Sequence, residues 1–151
     1  MHRKHHSPRG VLIGGILAIV MATHLPLVRA ETADTELRVE VTGLKSDQGD
    51  VIVALYNSPK GYTDHPYKTY YANINNDKCE WVMKGLPRGE YAVILVHDEN
   101  GNHHMDKNFL GMPKEPYAFS NNVKAHLHAP PFSDTKFLVD NGETLVKITL
   151  E

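Results

Sequence analysis

Alternating apolar and polar positions predict a protein built from β-strands. Between Leu37 and Val41 every second residue is apolar, and the same period returns between Val146 and Leu150. A two-residue period is typical of a strand that buries one face. Together with β-branched runs that end at turns rich in glycine, proline and asparagine, this pattern predicts about seven strands. The predicted strands cover residues 36–42, 51–56, 70–74, 80–83, 91–96, 135–139 and 144–150.

The run of residues 91–96 is continuously apolar, so we expect it at the centre of a sheet with Val93 and Leu95 buried. No stretch shows the apolar period of a long amphipathic helix, and the strands are separated by short turns. The sequence therefore predicts an all-β fold, an antiparallel β-sandwich of about seven strands. Turn residues also predict two hairpins, one across residues 45–50 and one across residues 140–142.

Residues 1–30 have the order of charged and apolar residues that is typical of a signal peptide. Basic residues precede an apolar run of 13 residues, which is shorter than the roughly 20 residues of a membrane span. A Val-Arg-Ala sequence ending at Ala30 fits a cleavage site. We therefore expect a signal peptide at residues 1–30 and one β-sandwich domain at residues 31–151, with no stable membrane span after cleavage. The alternative is an N-terminal anchor that is retained.

The cysteine content indicates the cellular compartment of the protein, and its charge limits the kinds of partner it can bind. The chain has one cysteine, Cys79, so no disulfide forms within it, and we expect this thiol in the core. Export without disulfides indicates a periplasmic or secreted protein of the bacterial envelope. Residues 31–151 hold 12 basic and 18 acidic residues, and this acidic excess argues against a nucleic-acid partner, which requires a basic face.

The longest predicted loop, residues 97–122, carries oxygen-bearing side chains at alternate positions. Ca²⁺ takes about six to eight oxygen ligands, and binding loops supply them from alternate residues. The sequence therefore predicts a calcium ion that orders this loop. The candidate ligands are the side chains of Asp98, Asn100, Asn102, Asp106 and Glu115 and the main-chain carbonyl of His104.

The spacing of these ligands departs from that of an EF-hand. His103 stands where the EF-hand loop requires glycine, and Phe109 stands where it places a bidentate glutamate. An alternative interpretation is a turn whose Asp and Asn side chains bind the loop's own backbone groups. Both interpretations predict an ordered loop, but only the first predicts an effect of calcium.

The histidines support a second hypothesis, a site for a transition metal. His126 and His128 are two residues apart, which places both side chains on one face if the segment is extended. With His97 or His104 they form a candidate zinc or copper site, because imidazole binds both metals. The alternative is that these histidines are solvated in a polar loop.

No catalytic motif stands out along the chain. It lacks a nucleophile elbow, a zinc-protease motif and a glycine-rich phosphate loop, and nothing singles out Ser120 as a nucleophile. Two classes of function follow. The first is a non-catalytic envelope domain whose loop, ordered by a cation, presents a surface to an envelope protein or a glycan. The second is a histidine-dependent zinc or copper protein, or a metal-dependent enzyme, of the cell envelope.

A family resemblance rests on a set of short motifs in the second half of the chain. They are GEYAV before HDENGN, then MD, FLG-x-P-x-E and FSNN. In these motifs the chain resembles a bacterial exported family known as domain of unknown function 2141. The resemblance implies a secreted or periplasmic β-sandwich of transthyretin or immunoglobulin type, and it implies no reaction. Members of this kind commonly carry glycine where this chain has His103.

Overall fold

A computed structural model describes residues 34–150, and the predicted signal peptide lies outside these residues. The described chain is an all-β domain of two sheets, as predicted. Its strands are β1 (Thr35–Thr42), β2 (Asp50–Tyr56), β3 (Lys68–Asn73), β4 (Cys79–Lys84), β5 (Gly89–Asp98), β6 (Tyr117–Phe119), β7 (Phe137–Val139) and β8 (Gly142–Thr149). A 3-10 turn at Ser120–Asn122 and the short helix α1 at Phe132–Thr135 complete it. Neither of these helical segments, the only ones within residues 34–150, has the length and apolar character needed to cross a membrane.

The smaller sheet has the strand order β4-β1-β8, and the larger has the order β3-β2-β5-β6. The strand β7 pairs with the start of β5. Most neighbours are antiparallel, but β1 and β8 run parallel along eight paired positions, from Thr35 opposite Gly142 to Thr42 opposite Thr149. The prediction of antiparallel pairing is therefore wrong for this one pair.

Both predicted hairpins are wrong, because the chain changes sheets at each turn. The strand β1 lies in the smaller sheet and β2 in the larger, while β7 pairs with β5 and β8 pairs with β1. The turns themselves exist: Gly142 has a positive φ of 81°, which favours glycine. Turn residues show where the chain reverses, but the burial of each face decides which strand becomes the neighbour.

The main core lies between the two sheets and is filled by aliphatic side chains. Val93 and Leu95 of β5 are fully buried, which confirms β5 as the central strand. They pack with inward-facing residues of both sheets: Leu37, Val39, Val41, Val53, Leu55, Val146 and Ile148. Cys79 also lies in this core as a free thiol, and burial raises its pKa to about 11.

A second apolar layer covers the outer face of the larger sheet. Tyr56 of β2, Ile94 of β5 and Phe119 of β6 form it, together with Phe132 of α1. The ring of Tyr62 packs edge-on against Tyr56 at a centroid distance of 5.1 Å. This layer fixes the outer face of β5, and the candidate site lies at the end of that face.

Candidate functional site

The loop of residues 98–115, called here the Asp98 loop, begins at the last residue of β5. Asp98 is buried, and its Oδ1 accepts hydrogen bonds from the backbone N–H groups of Gly101 at 2.9 Å and Asn102 at 3.2 Å. Its Oδ2 accepts the N–H of His103 at 2.6 Å. One carboxylate thus folds the chain back on itself, and His103 takes a left-handed conformation at φ 64°.

The next ligand candidates close the same turn. The Nδ2 atoms of Asn100 and Asn102 donate to the two carboxylate oxygens of Asp106, at 2.8 and 3.1 Å. Their Oδ1 atoms accept the N–H groups of Asn102, at 3.0 Å, and His104, at 2.8 Å. The four predicted Asp and Asn side chains therefore do come together, in the hydrogen-bonded turn that was the alternative interpretation.

Glu115 returns to this turn from the far end of the loop. Its side chain is only 8% exposed, its Oε2 accepts the N–H of Asp106 at 2.9 Å, and its Oε1 has no hydrogen-bond partner. Burial raises the pKa of Glu115, and the backbone hydrogen bond from Asp106 opposes this shift. The charges of Asp98 and Asp106 raise the pKa further, and so does a side-chain hydrogen bond with Asp98 that a protonated Glu115 can make. A third carboxylate is thus held beside two others.

Buried polar atoms without partners are concentrated at this end of β5. Within residues 34–150, the buried side-chain atoms without a hydrogen bond are Asp50 Oδ1, His97 Nδ1 and Glu115 Oε1, and His97 Nδ1 lies 3.9 Å from Glu99 Oε1. Asp50 lies opposite Asp98 across the β2–β5 pairing, and His97 directly precedes it. An unpaired buried polar atom costs free energy and calls for an explanation such as an ion or a ligand.

The same side chains do not yet form a closed metal site. In the described part of the chain, no group of three or more His, Cys, Asp or Glu side chains stands close enough to hold a metal ion. Each carboxylate or amide oxygen has two lone pairs, so an oxygen that accepts one N–H can still bind a cation. These oxygens are of the type that hard cations bind, but the carboxylates among them do not converge on one point.

The histidines of the second hypothesis are divided between two faces of β5. His97 is fully buried, follows Val93 and Leu95 at two-residue spacing, and places its Nε2 2.9 Å from the carbonyl oxygen of Gln48. His126 and His128 line a groove on the opposite face. The structure therefore places His126 and His128 at the same groove but leaves His97 on the core side of the strand.

The groove lies on the outer face of the larger sheet and has a volume of about 740 Å³. Ile52, Ile94 and Val96, each more than nine-tenths buried, lie at the floor of the groove. Most of residues 103–113 of the Asp98 loop and all of residues 125–129 line its sides. Asp98 is at the same two-residue spacing as Ile94 and Val96, so the polar turn lies at one end of this floor. This groove was not predicted from the sequence, although the histidine pairs at 103–104 and at 126 and 128 were a visible signal.

Exposed apolar side chains border the groove. Residues 106–115 form a small hairpin, held by a bridge between Lys107 and Pro113. Its tip exposes Phe109 by 94%, and Leu127 on the facing wall is 97% exposed. Leu110 and Met112 at the same tip line the groove as well, so the site combines an apolar floor with an apolar rim.

A second polar cluster, Ser120–Asn122, called here the SNN cluster, links several elements of the domain by hydrogen bonds. Ser120 is fully buried, and its Oγ accepts the N–H of Val93 at 3.0 Å and donates to the carbonyl of Thr135 at 2.5 Å. Asn122 Oδ1 accepts the N–H of Thr149 at 2.8 Å. With its hydroxyl bound to backbone groups, Ser120 acts as a structural link between β5 and the end of α1.

Asn121 adds further hydrogen bonds to the SNN cluster. Asn121 Nδ2 donates to the carbonyls of Asp134 and Lys136 at 2.9 and 3.0 Å. Asn121 and Asn122 both have left-handed backbones, with φ of 63° and 53°, a conformation that asparagine tolerates better than most residues. The SNN cluster therefore joins β5, α1 and β8, which is a physical reason for its place in the FSNN motif.

These features define a class of protein: a two-sheet β-domain whose central strand ends in an Asp/Asn turn beside an open groove. The family described as "Uncharacterized protein conserved in bacteria (DUF2141)" matches residues 39–147. The chain belongs to this family, as its motifs predicted. No curated protein and no solved structure matches the chain, so the transthyretin or immunoglobulin type stays a prediction.

Proposed function

We propose that this chain is an exported, non-catalytic binding domain of the bacterial envelope, periplasmic or secreted. In this proposal, Ca²⁺ orders the Asp98 loop, and the ordered loop forms one wall of a ligand groove. The main observation in support of a bound cation is the buried Oε1 of Glu115, which has no hydrogen-bond partner and lies beside Asp98 and Asp106. Export rests on the sequence of residues 1–30 alone.

Charge and ligand chemistry both support a hard cation at this turn. Asp98, Asp106 and Glu115 bring three carboxylates near one another, and their repulsion raises the pKa of Glu115 after the larger effect of burial. A divalent ion would relieve that repulsion and provide the missing partner for Oε1. Calcium suits the site better than magnesium, because it accepts irregular oxygen geometry, whereas Mg²⁺ demands a near-ideal octahedron.

The groove connects the order of the Asp98 loop with ligand binding. Residues 103–113 form one wall of the groove, so an ion that fixes the turn at Asp98 also fixes the shape of that wall. The exposed apolar side chains that line the groove, Leu110, Met112 and Leu127, favour an apolar ligand, or apolar side chains of an envelope protein, over a glycan.

Thermal melting of the purified protein in calcium and in chelator tests the cation. We expect calcium at a hundredfold excess over its Kd to stabilise the fold by about 2.7 kcal/mol. Glu115→Gln keeps the size of the side chain but removes its charge, and should lose most of this increment. Glu90→Gln is the matched control, because Glu90 is about half exposed, lies at the other end of β5 and pairs with Lys136 at the surface.

Equal melting temperatures in calcium and chelator would leave the Asp98 loop as a turn satisfied by its own side chains. The same melts in zinc and in copper test the histidine alternative. A stabilisation by these ions that His126→Ala and His128→Ala together remove would favour the transition-metal function instead.

A further inference from the structure

The exposed apolar side chains of the domain are concentrated beside the groove. The three most exposed large apolar residues within residues 34–150 are Leu127, Phe109 and Leu110, at 97%, 94% and 70%. Met112, at 59%, belongs to the same hairpin of residues 106–115 as Phe109 and Leu110. Leu110, Met112 and Leu127 line one groove, so these side chains share one side of the molecule. Such a concentration marks a surface that contacts a protein or a membrane.

The hairpin holds its apolar side chains on an ordered backbone. The N–H of Asn108 donates to the carbonyl of Met112 at 2.8 Å, and the N–H of Gly111 donates to the carbonyl of Asn108 at 2.9 Å. Asn108 Oδ1 also accepts the N–H groups of Leu110 and Met112, at 2.9 and 3.0 Å. Because the backbone of the tip is paired with itself, Phe109 and Leu110 can meet a partner without first having to fold.

Two lysines stand at the base of this tip, one on each arm of the hairpin. Lys107 is bridged to Pro113, and the N–H of Lys114 donates to the carbonyl of Asp106 at 2.8 Å. The backbones of Lys107 and Lys114 therefore lie at the same level, and the apolar residues between them form the tip. Both lysines are exposed. A lysine at such a boundary can lay its apolar stem along an apolar surface and keep its ammonium group in a polar layer.

The charge around the tip is opposite to that of the whole domain. Residues 31–151 are acidic overall, but residues 107–133 hold three lysines and a single acid, Glu115, which is buried. Two other acids border this region: Asp106 accepts hydrogen bonds from Asn100 and Asn102, and Asp64 lines the groove. The exposed part of the hairpin is therefore apolar at its tip and cationic at its base.

This order of apolar and cationic groups matches the layers of an anionic bilayer. We propose that the tip of the hairpin and Leu127 insert into the surface of an anionic lipid bilayer, with Lys107 and Lys114 among the headgroups. Apolar side chains at the boundary of the acyl chains, together with cations attracted by anionic lipid, give reversible binding without a membrane span. An apolar cleft of a protein would accept the tip equally well but gives no reason for a lysine on each arm. The inference rests on the proposed function only for the location of the chain in the envelope, where it meets a bilayer.

Sedimentation of the purified chain with lipid vesicles, in chelator, tests the inference. One set of vesicles contains phosphatidylcholine alone, and the other contains equal parts of phosphatidylcholine and phosphatidylglycerol. We expect binding to the anionic set to be at least about tenfold stronger. The chelator prevents calcium from bridging acidic side chains and lipid phosphates. All variants are compared with the same N-terminus, so any lipid affinity of residues 1–30 is common to them.

The apolar contact is tested by removing the side chains of the tip. Phe109→Ser with Leu110→Ser should weaken binding to anionic vesicles by about tenfold or more. Leu138→Ser with Leu145→Ser is the matched control, because both leucines are exposed but lie on β7 and β8 and do not line the groove. The strand β7 pairs with the start of β5, at the opposite end from the Asp98 loop. The control should bind as the wild type does.

The charge contribution is tested in the same assay. Lys107→Gln with Lys114→Gln should weaken binding to anionic vesicles by about fivefold for each lysine and leave binding to phosphatidylcholine unchanged. Lys84→Gln with Lys147→Gln is the matched control, since it removes the same charge from β4 and β8 of the smaller sheet. Both of these lysines are exposed partners of surface ion pairs. This control should retain the preference for anionic vesicles.

A fluorescent reporter locates the contact on the chain. Trp81 is the one tryptophan of the sequence and packs against the core beside Tyr70. Phe109→Trp therefore adds a second fluorophore at the tip. We expect anionic vesicles to shift the added emission to shorter wavelength and brominated acyl chains to quench it. Leu138→Trp is the control and should show neither change.

Three outcomes would overturn the inference. The first is no binding to anionic vesicles by a chain that circular dichroism shows to be folded, which would leave the tip as a surface for a protein. The second is equal binding to the two sets of vesicles. The third is binding that leaves the emission of Phe109→Trp unchanged, because the lipid contact would then lie elsewhere. Calcium stabilisation without vesicle binding rejects this inference alone, whereas vesicle binding without calcium stabilisation rejects only the cation of the proposed function.

Discussion

Two polar clusters flank the larger sheet, and they differ in how completely their buried atoms are paired. In the SNN cluster, Ser120 and its neighbours bind backbone groups of β5, α1 and β8, and none of its side chains has an unpaired buried atom. The Asp98 loop is equally rich in hydrogen bonds. Yet every unpaired buried side-chain atom of residues 34–150 lies at its base, on Asp50, His97 or Glu115.

This difference distinguishes the SNN cluster, which has a structural role, from the Asp98 loop, which is a candidate binding site. A fully paired polar network rigidifies a fold, whereas an unpaired buried group costs stability unless something binds it. Both clusters appear in the sequence as short motifs of similar composition, FSNN and HDENGN. Only the pairing of the buried atoms distinguishes the motif that completes the fold from the motif that leaves Glu115 Oε1 available.

The largest loss of stability should follow from removing the hydrogen bonds of Ser120 in the SNN cluster. Ser120→Ala leaves the N–H of Val93 and the carbonyl of Thr135 without their hydroxyl partner in a buried setting. We expect a loss of about 2–4 kcal/mol in the free energy of unfolding, measured by denaturant titration. Ser133→Ala, at an exposed serine of α1, should stay within about 0.5 kcal/mol. Equal effects of the two substitutions would remove the SNN cluster as a fastening.

A smaller loss should follow from removing the carboxylate that folds the Asp98 loop. Asp98→Ala deprives the backbone N–H groups of Gly101 and His103 of their acceptor and leaves the N–H of Asn102 with Asn100 Oδ1 alone. As with a lost helix cap, we expect a cost of about 1–2 kcal/mol even in chelator, together with the loss of any calcium increment. Glu90→Ala, at an exposed acidic residue on the other end of β5, should change neither quantity by more than about 0.5 kcal/mol. If Asp98→Ala matters only when calcium is present, the hydrogen-bonded turn contributes little by itself.

The smallest effect concerns the ionisation of Glu115. Because burial, and then the carboxylates of Asp98 and Asp106, raise its pKa above 4.5 in the folded protein, its contribution to stability is complete below pH 4.5 and is lost as the pH rises through the folded pKa. In chelator, Glu115→Gln should therefore become more stable relative to the wild type as the pH rises from 4.5 toward 7. Chemical denaturation across that range measures the difference, and calcium should reverse its sign at neutral pH. A difference independent of pH would mean that Glu115 is solvated.

Much of the fold and of the polar turn could be predicted because both depend on local sequence. Alternation along residues 37–41 and the continuous apolar run of residues 91–96 identified β1 and the central strand β5. Asp98, Asn100, Asn102 and Asp106 lie within nine residues of one another, so their meeting in one turn required only local geometry. The burial of Leu95 followed from the same reasoning.

Only the tertiary structure decided which distant residues meet. The parallel pairing of β1 with β8 joins Thr42 to Thr149, and no local pattern encodes that choice, because it depends on which faces can be buried together. The groove is likewise formed by two loops far apart in sequence, which unites His104 with His126 and His128 and leaves His97 in the core. Local propensity determines where strands and turns form, whereas the burial of residues far apart in sequence determines which strands become neighbours. The lack of a hydrogen bond at Glu115 Oε1 is a consequence of this long-range packing.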